Sequence, residues 1–353
     1  MLGLLYILLV FAALTIHRYS KWSELIILIG ILLIVYWAVD IPDFNNYQNV
    51  YKAIGAGSLY NDTGIGWYVL CKIGNFLHLD YKAFDMAIIT ASLLLIRSSV
   101  CCFISNGKMR CWIWGLYLIY PLLMDLVQIR FLLSTALILF AVPWLMFPYK
   151  HGGIRFLLML AISYTIHSSA IFYFIFFVAY YLKRLSYGLI GLLTALGMVA
   201  SLFKTQLIAL MSNFTNGARI ERYLRSTDGA GVTGLATYLG ILIIFVWISW
   251  LLVRQSREEG YEKSLYKFQL RVNQLMFLVL PLCLYDTNFI RLQRPMYLIL
   301  YITLGTFRRH HRTLKIGSEY SISSDFLSVG VACLGVLIMM LQQNWAVFQA
   351  FLW

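Results

Sequence analysis

Charge is what this chain has least of. Asp, Glu, Lys and Arg make up 12% of its 353 residues, about half their share in a soluble domain. Apolar residues reach 61%, and the mean hydropathy is +0.77. Those figures exclude a water-soluble globular enzyme and a disordered chain alike. Cysteine is sparse as well. The six cysteines show no metal-like spacing, which argues against a disulfide scaffold or a structural metal site.

What is abundant is long apolar sequence. A membrane-spanning helix needs ~20 predominantly apolar residues, and on that measure the chain has room for about 10–12 spans. They run from Leu2–Ile16 to Phe326–Leu341 and include Trp112–Val127, Phe131–Phe147, Ile154–Ile166 and Val272–Tyr285. Residues 1–353 therefore read as a single integral membrane domain, all-α and polytopic. The first apolar stretch has no basic n-region and no cleavage site, so it reads as a retained span rather than a signal peptide.

The net charge of +13 would suggest nucleic acid in a soluble protein. Here it follows from topology. One set of alternate loops holds seventeen basic residues against six acids, among them Lys108, Arg110, Lys263, Arg308 and Arg309. The other set is nearly balanced. The basic set is expected in the cytoplasm, with both termini outside and no nucleic-acid partner needed. Arg97 lies within a span, close enough to its cytoplasmic end to snorkel, and is given no role.

Two outer segments are too long to be simple connectors. Residues 40–82 include Asp40, Asp43, Tyr47 and Tyr51, then an apolar stretch from Gly64 to Leu79 interrupted by Gly66 and Gly74. That stretch is too short to span and suggests a re-entrant or interfacial helix. Residues 204–234 contain Arg219, Arg222 and Arg225 at i, i+3, i+6, which share one face of a helix. Gly229, Gly231 and Gly234 follow.

Polar residues also gather where outer spans begin. Arg130 stands in Asp125-Leu-Val-Gln128-Ile-Arg130, and His167 in Ile166-His167-Ser-Ser-Ala170. Arg291 and Arg294 precede Pro295, a residue suited to a first helical turn. From Arg130 onward the outer side carries six arginines and one lysine. Arginine presents a planar fork of donors matched to phosphate oxygens, whereas lysine is a point charge. A phosphorylated, membrane-resident ligand fits that preference, and ordinary phospholipid is the bland alternative.

In these segments the chain resembles the EpsG-like branch of the Wzy-type bacterial polysaccharide polymerases. Asp40 or Asp43 with Tyr47 and Tyr51, Gln128-Ile-Arg130, His167-Ser-Ser-Ala170, and Arg291/Arg294 with Tyr297 follow the family's order of motifs. The chain departs from the pattern at Gly64-Ile-Gly-Trp67, where many members carry a Glu-Pro-Gly-like element. Phe131 also stands in place of a glutamine.

The resemblance implies a GT-C-like fold in the bacterial cytoplasmic (inner) membrane, with an active site facing outward. It implies glycosyl transfer from one undecaprenyl pyrophosphate onto the terminal sugar of another lipid-linked repeat unit. Arg130, Arg219, Arg222, Arg225, Arg291 and Arg294, with Gln128, Tyr47 and Tyr51, would hold pyrophosphate or substrate. His167 would be the base, with Asp40 or Asp43 as the competing candidates. An imidazole titrates near neutral pH and so suits proton transfer.

Clustered arginines can stabilise a pyrophosphate leaving group without a metal, so no cofactor or metal is expected. Membrane lipids and a chain-length regulator protein are the other candidate partners. A flippase for the same glycan would need a polar path through the cytoplasmic half of the bilayer. A membrane O-acyltransferase would need its histidine accessible from the cytoplasm. Both are less consistent with polar residues collected at one surface.

Overall fold

The computed structural model describes residues 2–15, 21–58, 64–182, 187–203, 231–256, 260–284, 287–311, 313–315, 321–341 and 345–352. The protein is an all-α polytopic membrane protein. Among the described residues the one exception is a short antiparallel pair, β1 (Thr313–Lys315) with β2 (Ser321–Ser323). Among the described residues, three helices are long and apolar enough to cross a bilayer by themselves, and other apolar helices run 10–17 residues. The chain divides into two units, residues 1–174 with 297–353, and residues 175–296.

In the first unit α1 (Leu2–Thr15), α2 (Lys21–Trp37), α5 (Tyr81–Phe103), α8 (Ile129–Met146) and α9 (Gly152–Ile166) follow the apolar runs closely. Asp80 caps α5, accepting from the Ala83 N–H at 2.7 Å. Helix α8 is the centre of the unit: 72% of it is buried inside the protein, against 39% of the apolar 18-residue stretch of α5.

Small hydroxyl side chains bind it to its neighbours, as expected where lipid removes the hydrophobic drive between helices. Ser99 Oγ donates to the Leu139 carbonyl at 2.7 Å, joining α5 to α8. Ser134 and Ser163 meet at 2.8 Å, and Ser163 Oγ also donates to the Ser134 carbonyl at 2.6 Å, joining α8 to α9. Because α8 and α9 are antiparallel, the first turn of one lies beside the last turn of the other.

The structure differs from the hydropathy reading at several points of this unit. The stretch expected as Trp112–Val127 is broken into α6 (Gly107–Ile119) and α7 (Leu122–Val127). Pro121 lies at the break, lacks an N–H and disfavours helix in the residue before it. Tyr301 Oη donates to the Tyr120 carbonyl freed there, at 3.0 Å. Residues 40–82 form two helices rather than one: α3 (Phe44–Gly55) and α4 (Ile65–Phe76). A further helix, Trp345–Leu352, closes the described chain.

Helix α4 has two apolar faces. Trp67, Cys71 and Gly74 are buried, while Ile65, Val69, Ile73 and Phe76 recur along an exposed stripe. Such a stripe suits a helix lying against acyl chains. At the other end of this unit Glu24, 1% exposed, accepts from Arg110 Nε at 3.1 Å, Arg97 Nη2 at 3.3 Å and Trp114 Nε1 at 3.2 Å. Arg97 is therefore half of an ion pair.

The second unit holds α10 (Phe174–Tyr181), of which all but Phe174 lies here, α11 (Tyr187–Leu202), α12 (Gly231–Gln255) and α13 (Tyr261–Leu275). Two 3-10 segments come next, Met276–Leu284 and Thr287–Gln293. The expected span Val272–Tyr285 is thus α-helical only to Leu275, and Pro281 lies in the tighter stretch beyond. Asn273 Nδ2 donates to Ser249 Oγ at 2.9 Å, holding α13 to α12, while Asn273 Oδ1 accepts from Gln269 Nε2 at 3.2 Å within α13. A cavity of about 500 Å³ is lined by Ile190, Thr194, Met198, Val246, Phe277 and Leu280.

Candidate functional site

Four elements of the first unit meet around Arg130. The side chain leaves the second position of α8 and is half-buried. Its Nη2 donates to the Ile166 carbonyl at 3.2 Å, at the end of α9. A cation at a helix N-terminus is disfavoured by that helix's own dipole. Here the carbonyl end of the antiparallel neighbour offsets the cost. The guanidinium also lies over the Trp67 ring, 5.8 Å from its centroid, within cation–π reach.

Trp67 comes from the first turn of α4, and glycines put it there. A Cβ on Gly64 would stand 2.2 Å from the Thr165 carbonyl oxygen, and one on Gly66 2.3 Å from Thr165 Oγ1. Any side chain at either position would separate α4 from the end of α9. The sequence element that departs from the family pattern is therefore a close-approach motif.

Helix α3 lines the cluster through Tyr47, whose ring is 6.1 Å from that of Trp67. Tyr51 is more deeply placed, at 3% exposure, and its Oη donates to the Leu79 carbonyl at 2.8 Å. It packs on Phe84 at 4.7 Å and Tyr81 at 5.7 Å. Tyr47 thus borders the Arg130–Trp67 pair, and Tyr51 holds α3 to the first turn of α5. Burial pushes the Cys71 thiol up to about 12, with Arg130 opposing that shift. The thiol stays protonated and adds no charge to the cluster.

Asp40 and Asp43 are exposed, and both adopt left-handed backbone, with φ of 54° and 65°. Aspartate tolerates that region better than most residues. Two such residues within one short turn are the kind of local strain that collects at functional sites. Asp43 is the N-cap of α3 and accepts from Asn46 Nδ2 at 3.4 Å.

His167 stands at the junction between α9 and the 3-10 segment Ser168–Tyr173. Its ring is half-buried and meets Phe131 edge-on at 5.7 Å. Nδ1 accepts from the Ser169 N–H at 3.3 Å and lies 2.7 Å from Ser169 Oγ. Gln128 is the cap residue shared by α7 and α8 and is half-buried.

The structure thus brings Tyr47, Arg130 and His167 to one end of the first unit, with Trp67 between Tyr47 and Arg130. Sequence reasoning takes Trp67 only as one of several outer-face aromatics suited to a sugar ring, and its contact with Arg130 comes from the docking of α4 at Gly64 and Gly66. In the second unit Arg291 lies in the segment Thr287–Gln293, and Arg294, 5% exposed, opens α14 (Arg294–His310). The neighbouring Gln293 Nε2 donates to the Tyr238 carbonyl at 3.2 Å. Arg219, Arg222 and Arg225 lie outside the described residues. Among the described residues no three His, Cys, Asp or Glu side chains gather as a metal site would require.

Compared with known proteins, the chain matches the EpsG family model over residues 21–317. No curated protein and no solved structure matches it.

Proposed function

The chain belongs to the EpsG family, and from that premise we propose that it joins lipid-linked oligosaccharide repeat units into a polysaccharide. The coarse activity is that of a membrane polysaccharide polymerase. The finer reading is a glycosyl transfer between two undecaprenyl-pyrophosphate-linked glycans at the outer face of the bacterial cytoplasmic membrane. The observation that carries it is the Tyr47–Trp67–Arg130 cluster beside His167. It places a planar cation, aromatic faces and an imidazole at one end of a membrane unit.

In this reading the acceptor sugar hydroxyl attacks the anomeric carbon of the donor. The bond from that carbon to the pyrophosphate oxygen breaks, and the lipid pyrophosphate leaves with the electron pair. Arg130 stabilises the charge that develops on it. Arg291 and Arg294, and the segment carrying Arg219, Arg222 and Arg225, bind phosphate groups of the lipid-linked substrates.

The hydroxyl proton goes to a carboxylate, for which Asp43 is the choice over Asp40 because it caps the helix that carries Tyr47. His167 donates a hydrogen bond from Nε2, since its Nδ1 is engaged by Ser169. The opposite end of the unit, with Arg97, Arg110 and Arg308 paired to Glu24 and Asp325, is the one this reading puts in the cytoplasm.

Reconstitution with a synthetic undecaprenyl-pyrophosphate oligosaccharide tests the proposal. A ladder of longer glycans is expected. Translocation of the lipid without new glycosidic bonds would overturn it in favour of a flippase.

A further inference from the structure

One buried group remains without a purpose in that scheme. Trp67 is 1% exposed, yet among the described residues its Nε1 has no hydrogen-bond partner. A native fold leaves few buried donors unmatched, and each calls for an explanation. Packing does not supply one. The ring meets Phe84 edge-on at 5.6 Å and Tyr47 at 6.1 Å, contacts that a phenylalanine could make with no orphaned N–H. The position is also tightly fixed by the approach of Gly64 and Gly66 to Thr165.

What surrounds the indole points to a ligand of one chemistry. Arg130 lies over its face at 5.8 Å. The helix that carries it begins two residues earlier, so Trp67 belongs to the first turn, whose N–H groups find no acceptor within the helix. The indole and the guanidinium donate and cannot accept, and the nearby Cys71 thiol stays neutral. A sugar hydroxyl would bring a proton that also needs an acceptor. A phosphate oxygen needs only donors.

We infer that the Trp67 indole N–H and the Arg130 guanidinium form a paired-donor subsite for a phosphate oxygen of the lipid-linked substrate. The inference rests on the polymerase reading above and adds to it a binding residue and its partner atom. Trp67 binds and positions the pyrophosphate.

The test uses the full-length protein in phosphatidylcholine nanodiscs, with Trp67→Phe beside the wild type. Native mass spectrometry would measure affinity for undecaprenyl pyrophosphate, undecaprenol and phosphatidylglycerol. Thermal unfolding without added ligand would be followed in parallel. The variant keeps the ring face and loses the donor. It is expected to bind undecaprenyl pyrophosphate about tenfold more weakly, with undecaprenol and phosphatidylglycerol unaffected and the unfolding midpoint unchanged or raised.

Equal pyrophosphate affinity in variant and wild type overturns the inference. So does a lowered midpoint with unchanged affinity, because the N–H would then have a partner within the fold. Equal weakening toward phosphatidylglycerol overturns the assignment to substrate and makes the subsite one for a lipid headgroup. The polymerase reading is tested separately, by the glycan ladder of the wild type. It can stand if Trp67→Phe binds normally.

Discussion

Ser169 engages Nδ1 of His167 from two directions, through its backbone N–H at 3.3 Å and its Oγ at 2.7 Å. A backbone N–H can only donate, so Nδ1 is the acceptor and the neutral ring carries its hydrogen on Nε2. The lone pair that a general base needs is therefore committed, and the other ring nitrogen is a donor. The residue pattern alone favours His167 as the base. The geometry favours a hydrogen-bonding role for the ring, and the proposed mechanism therefore gives the proton to Asp43.

The pH–rate profile separates the two. His167→Gln retains an N–H donor and is expected to keep measurable turnover with the acid limb of the profile in place. His167→Ala is expected to lose ~10²–10³ in rate, the usual cost of one preorganised donor. Asp43→Asn is expected to be inactive, and it preserves the left-handed backbone that asparagine tolerates. Disappearance of the acid limb in His167→Gln would return the base role to the histidine.

Gly64 and Gly66 make the second prediction. Alanine at position 64 would drive a methyl group into the Thr165 carbonyl, which is backbone and cannot swing away. The first turn of α4 must then move, and Trp67 leaves Arg130. Gly64→Ala is expected to cost ~1–3 kcal/mol in stability and most of the polymer yield. Gly330→Ala, with nothing within 4 Å of its added Cβ, is the control and should polymerise normally. Normal polymer from Gly64→Ala would show that the contact between α4 and α9 does not position the site.

Arg130 makes the third. Its side chain both donates to the Ile166 carbonyl and covers an indole face. An ammonium on a flexible stem cannot reproduce that planar arrangement. Arg130→Lys is therefore expected to recover little of the ~10²–10³ in rate lost by Arg130→Ala, with protein levels normal in both. Full activity in the lysine variant would mean that charge alone suffices.

Much of this was legible in the residues, for physical reasons. Periodicity and hydropathy mark helices that meet lipid on one face, so α1, α5, α8 and α9 fall where the apolar runs are. The order of short polar motifs brought out Arg130, His167 and Tyr47. Contacts between residues far apart in sequence were not legible. The approach of Gly64 to Thr165 and the stacking of Trp67 on Arg130 depend on how α4 docks. Helix α3 was missed because its composition is mixed and its apolar face is supplied by aromatics that also suit a membrane interface. Tyr51 resembles a substrate contact in the sequence because nothing near it there would take up its hydroxyl. The Leu79 carbonyl that does so is 28 residues away.

The Glu24 cluster carries a prediction about stability alone. The carboxylate is 1% exposed; the Arg110 side chain beside it is 13% exposed and the Arg97 side chain 42%. Removing one partner of a buried pair leaves an uncompensated charge and costs ~3–5 kcal/mol, whereas an exposed partner contributes ~1 kcal/mol or less. Arg110→Ala should therefore lower the unfolding midpoint in detergent far more than Arg97→Ala. Equal effects from the two would mean that Glu24 is not held mainly by Arg110.

Orientation is the prediction on which every assignment at the Arg130 end depends. The Arg130–Trp67 cluster and the Glu24 cluster lie at opposite ends of the first unit. The loops on the Glu24 side carry the basic excess, so they should stay in the cytoplasm. Cys102 is exposed near the end of α5 on that side, whereas Cys71 is buried in α4. A membrane-impermeant maleimide applied to intact cells should leave both unlabelled. Opening the cells should admit it to Cys102, while Cys71 stays protected by burial and by a thiol that remains protonated. A cysteine introduced at His78, in the exposed turn between α4 and α5, should react without lysis. Labelling of Cys102 in intact cells, with His78→Cys silent, would invert the protein in the membrane. The Arg130 cluster would then face the cytoplasm, and polymerisation at the outer leaflet would be excluded.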